Sequence, residues 1–73
     1  MMTKDERIAE QKRQMMVDIE FYQSFIQTEE NCIEVYQEQK LRHPELSAEW
    51  DNLIASSIEN ILTFRETIER ILS

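Results

Sequence analysis

Of the side chains that carry nucleophilic or metal chemistry, this chain has one thiol, Cys32, and one imidazole, His43. Together they could make a nucleophile and its base, but only within hydrogen-bond reach of each other. Eleven positions separate them, roughly 16 Å along a single helix, so one chain cannot form the dyad. Cys32 therefore reads as a small hydrophobe in an apolar pattern. His43, next to the sole proline, reads as a helix-terminating residue. Glu30, Glu34 and Glu38 stack at four-residue steps, which suggests a carboxylate metal site. Helical di-metal bundles combine such acids with Glu-x-x-His pairs, and this sequence has none. The three acids read as a solvated face. With no glycine in the chain, no phosphate-cradling loop can be built. The expectation is a non-catalytic protein without cofactor or metal.

The elements that position these residues are organised by one break, Leu41-Arg42-His43-Pro44-Glu45-Leu46-Ser47. The first helix is expected over about residues 3–42, with Thr3 as N-cap and Glu6 three residues later as its capping-box partner. Pro44 disfavours helical geometry at His43 and ends it. Lys40, Arg42 and His43 then lie at the negative helix terminus, where cations are favoured. After a turn at 43–46, a second helix runs over about residues 47–72, beginning either with Pro44 at its first position or with Ser47 as cap. The 73 residues make one domain at most, a size at which a single core is barely sufficient. The fold class expected is all-α. It is an antiparallel, coiled-coil-like two-helix hairpin that completes a four-helix bundle by dimerisation or partner binding.

Hydrophobic periodicity shows why completion is needed. Helix 1 carries one stripe of Ile8, Met15, Ile19, Tyr22, Ile26, Ile33 and Tyr36, and an adjoining stripe of Val17, Phe21, Phe25, Cys32 and Val35. Together they cover roughly 200° of the helix, about twice the arc of an ordinary surface helix. Helix 2 is similarly broad, from Leu46 and Trp50 through Leu53, Ile54, Ile58, Ile61, Leu62 and Phe64 to Leu72. Closing the hairpin at Pro44 sets Tyr36 near Leu53, Ile26 near Ile61 and Met15 near Leu72. That contact uses about half of each arc, and the rest would form an exposed strip. Val17, Phe21, Phe25, Cys32, Val35, Trp50 and Phe64 are the candidate partner-binding residues, with Phe21 and Phe25 foremost on the second seam. Residues 1 to about 13 overhang the hairpin, as a helical extension or a disordered terminus.

Charge narrows the partners. The net charge is −7, and neither Gln14–Gln39 nor His43–Phe64 contains a Lys or Arg. Such a body repels a phosphate backbone, which argues against nucleic acid. No uncharged run approaches the roughly 18 residues of a membrane span. The start of the chain is charged and lacks a signal-peptide h-region. With a lone cysteine, this makes a cytoplasmic protein the expectation. Asp18, Glu29 and Arg65 fall within or beside the apolar arcs. Arg65 is expected either to pair with Asp18 across the helices and fix register, or to snorkel to water.

A polar Met-Thr start, a long amphipathic helix, a Pro-containing turn and the pattern Trp50-x-x-Leu53-Ile54-x-x-x-Ile58-x-x-Ile61-Leu62 run through most of the chain. In this architecture the chain resembles the small two-helix co-chaperone subunit of the needle-protein chaperone complex of bacterial type III secretion. The basic-tipped N-terminus is not aligned with that family. The resemblance implies a hairpin that binds a tetratricopeptide-like partner and helps hold the needle subunit unpolymerised in the cytoplasm. Three function classes stand at this point. They are a co-chaperone or adaptor whose spare apolar face covers a helical partner, a self-sufficient structural homodimer, and a small acidic inhibitor or DNA mimic of phage or antitoxin type.

Overall fold

In the computed structural model, which describes all 73 residues, α1 spans Lys4–Arg42 and α2 spans Ser47–Leu72, joined by the short 3-10 turn Pro44–Leu46. The first helix starts where its cap dictates. Thr3 Oγ1 accepts the Glu6 backbone N–H at 3.1 Å, satisfying one of the four donors a helix start leaves open. At the other end His43 leaves helical geometry, with φ −128° and ψ 66°, as the residue before a proline must. Its N–H still donates to the Gln39 carbonyl at 2.8 Å. No residue has a positive φ, so the reversal is made without a left-handed residue, and a chain with no glycine can make it.

Neither expected start of the second helix holds as such, because α2 begins at Ser47 with Leu46 before it. Pro44 opens the 3-10 turn, and Ser47 is already helical at φ −51°, ψ −45°, its N–H donating to the Pro44 carbonyl. Ser47 is therefore the first residue of α2 and not its cap, because the proline turn has already supplied that carbonyl.

The helices pack antiparallel in a body of 63 × 16 × 14 Å. Aromatic pairs set the register, Tyr22 with Phe64 at 6.0 Å between ring centroids and Tyr36 with Trp50 at 6.1 Å. The two pairs lie equally far apart on each helix, so one register serves the whole seam. It sets Ile33 level with Ile54, Ile26 with Ile61, Ile19 with Ile68 and Met15 with Ile71. Tyr36 meets Trp50, one turn closer to the bend than the expected Leu53. On α2 the seam residues Ser47, Trp50, Ile54, Ser57, Ile61, Phe64, Ile68 and Ile71 alternate three- and four-residue steps, all half-buried or buried. That is the spacing of a coiled-coil core.

One layer departs from the apolar rule. Midway between the aromatic pairs, the half-buried Glu29 lies level with Ser57, which is 5% exposed. Only Ser57 and Ile61, at 7%, are buried in the whole chain. Before Met15, α1 has no α2 residue level with it, and residues 1–17 are all exposed.

Candidate functional site

The ion pairs between the helices show which residues share a face. Lys40 Nζ lies 2.7 Å from Asp51 Oδ1, and Arg65 Nη2 lies 3.8 Å from Glu30 Oε1. On α1, Glu30 and Phe25 stand on opposite sides of the seam line Tyr22–Ile26–Glu29–Ile33. The side of α2 that carries Asp51, Ile58 and Arg65 therefore belongs to the Glu30 flank. Leu53 and Asn60 belong to the Phe25 flank. The surplus apolar surface is accordingly split, where the periodicity suggested a single strip. Phe21, Phe25, Cys32 and Val35 gather on one flank with Leu53, while Ile58 lies on the other with Leu62 close by.

The Phe25 flank is the more developed of the two. Phe21 and Phe25 stack edge-on at 4.5 Å, and Phe25 reaches across to Phe64 at 5.3 Å. Both distances lie in the favoured range for aromatic pairs. Phe21 remains 60% exposed and Val35 53%, while Phe25 at 38% belongs to the hairpin and to its surface alike. Cys32 is half-exposed on the same line. Between Phe21 and Val35 this flank of α1 carries no charge, over roughly 21 Å of helix.

Two sequence-based assignments are revised by this geometry. Trp50 and Phe64 are seam residues, engaged by Tyr36 and by Tyr22 and Phe25, because the heptad spacing of α2 points them at α1. Val17 keeps its place: it is exposed and falls at the same angle around α1 as Val35 at about 100° per residue, so it extends that line towards the start of the helix. The register pair of Asp18 and Arg65 does not form. Arg65 turns to Glu30, and Asp18 Oδ1 instead accepts from Gln14 Nε2 at 3.1 Å. The physical reason is handedness around the seam, since Asp18 lies on the Phe25 flank and Arg65 on the other. Sequence reasoning missed Leu53 as a member of the Phe25 flank. Its position one residue before the seam residue Ile54 was the available signal.

Other features offer less. No group of His, Cys, Asp and Glu side chains is placed to hold a metal ion. An open groove of about 640 Å³ beside the turn is lined by Lys40, Leu41, Pro44, Ser47, Asp51 and others. It sits on the ion-paired flank, away from the aromatic cluster. No helix is long and apolar enough to cross a membrane. The Trp50 indole Nε1 is buried without a hydrogen-bond partner, a cost of about 1–3 kcal/mol when such a group is left unsatisfied.

The chain exposes 5989 Å². A compact monomer of its mass exposes about 4,800 Å². The excess of roughly 1,200 Å² is more than the ~800 Å² each partner contributes to a standard protein interface. Comparison with known proteins finds no matching family model, no matching curated protein and no matching solved structure.

Proposed function

We propose that the chain is a non-catalytic protein–protein interaction module whose Phe21–Phe25–Cys32–Val35 flank covers a helical surface of another polypeptide. The observation that supports this reading is the uncharged line of exposed aromatic and aliphatic groups on a hairpin that is otherwise densely acidic. Leaving such a line in water is unfavourable. Packing a helix into it removes apolar area while the surrounding acids stay solvated. A small co-chaperone or adaptor is the role this chemistry suits, and a two-helix subunit of a needle-protein chaperone is one setting for it. A structural homodimer uses the same flank, and the spacing of its residues favours that occupant, as developed below.

The test is a photoreactive phenylalanine analogue placed at position 21 in native cells, with a second variant carrying it at Glu20, about 100° around α1 and off the outer line. Adducts from position 21 and none from position 20 are expected. No adduct from position 21 would sink the reading. The mass of the adduct shows whether the covering polypeptide is a second copy or another protein.

A further inference from the structure

From the line on the outer side of α1 we infer that its occupant is a second copy of the chain, related by a two-fold axis that passes between the two α1 helices at the level between Ile26 and Gln27. The inference rests on the reading of that flank as a binding face.

Phe21, Phe25, Thr28, Cys32 and Val35 follow one another at steps of four, three, four and three. This is the spacing of a second coiled-coil seam, distinct from the one that closes the hairpin. When such a seam packs antiparallel against its own copy, residues equally distant from the axis meet. Phe21 and Cys32 are each five and a half residues from the centre, Phe25 and Thr28 one and a half. Each large aromatic group thus meets a small side chain, no layer sets two bulky groups against each other, and Val35 meets Asp18 of the other copy at the end of the apolar stretch. That alternation of large and small is what interdigitation requires. The contact is isologous and closes at two copies.

The same axis has consequences on α2. By the hairpin register it passes α2 at the level between Asn60 and Ile61. It brings Glu49 of one copy within about one turn of Arg70 of the other. Neither residue has an ionic partner inside the hairpin. It also brings the unpaired start of α1 towards the acidic turn of the second copy. There Lys4 and Arg7, which continue the line of the outer seam, approach the exposed Glu45. Two elements without an internal partner, the outer seam and the overhang, are covered by a single operation. The area in excess of a compact monomer is of the size such a contact needs.

The lone cysteine makes the arrangement testable. In this antiparallel contact the two Cys32 thiols are eleven residues apart along the seam, about 16 Å, too far for a disulfide. The wild-type chain should therefore give no disulfide dimer under mild oxidation. Phe21→Cys places a second thiol level with Cys32 of the other copy. It should give a covalent dimer with position 21 linked to Cys32 in both directions, identified by peptide mapping. Glu20→Cys, off the seam, should not. A Phe21→Cys chain that yields only disulfides between two Cys32 residues, or no covalent dimer, would overturn the arrangement.

A second measurement keeps the outcome independent of the Phe21 substitution. Arg70→Glu should raise the dimer dissociation constant about fivefold, from loss of an exposed pair made twice. Adding Glu49→Arg should restore it. A constant that does not respond to either change counts against the two-fold. If the photoreactive group at position 21 captures only another protein and light scattering finds monomers up to millimolar chain, this inference fails while the reading of the face stands.

Discussion

At the scale of single residues, Phe21 and Phe25 look alike in the sequence and differ in the structure. Both lie on the outer line of α1, yet only Phe25 touches Phe64 across the seam. Phe21→Glu is expected to abolish association through this flank while leaving helicity unchanged by circular dichroism. Phe25→Glu puts a carboxylate beside Phe64 and Tyr22 as well, so it should lower hairpin stability by about 1–3 kcal/mol in urea unfolding, in addition to losing association. Equal losses of stability in the two variants would contradict the geometry. Periodicity placed both residues on the second stripe, but it could not say which of them the partner helix reaches. That depends on the distance across the seam.

At the scale of the helices, one polar layer interrupts an otherwise apolar ladder. Glu29 is half-buried at a seam position, with no basic group within ion-pairing distance. The small Ser57 opposite leaves it room. Glu29→Leu removes that carboxylate and adds apolar area, so it should stabilise the hairpin by about 1 kcal/mol. The check is the urea midpoint at a chain concentration where the protein is monomeric. A loss of stability would show that the layer is tightly filled and that Ser57 offers no space. The pattern of helix 1 had marked Glu29 as a charge at the edge of the apolar arc. Its place opposite a serine follows only from the register, which the Tyr36–Trp50 and Tyr22–Phe64 stacks determine.

At the scale of the whole molecule, two buried residues are too few for a self-sufficient core, and a domain of this size has little stability to spare. Covering the outer flank therefore contributes to folding as well as to binding. If a second copy covers it, apparent stability should rise by about 1.4 kcal/mol for each tenfold increase in chain concentration within the range where dimers form. Thermal unfolding across a hundredfold dilution series measures this. A concentration-independent midpoint would mean that the hairpin is stable by its own seam and that its outer flank is reserved for another polypeptide.

The sequence by itself determined the elements and their ends. Thr3 caps, Pro44 stops one helix and opens the turn to the next, and an absence of glycine leaves two long helices. These are local effects of backbone sterics and unsatisfied amides, and they do not need the rest of the chain. It also showed that the apolar arcs exceed what two helices bury, because arc width is a property of one helix alone. The tertiary structure decided how that surplus is shared. Which flank Phe25, Leu53 and Ile58 occupy, and whether Arg65 meets Asp18 or Glu30, depends on the rotation of each helix about its own axis. That rotation is set by how the ring stacks and isoleucines of both helices fill the seam together, and neither helix carries the information alone.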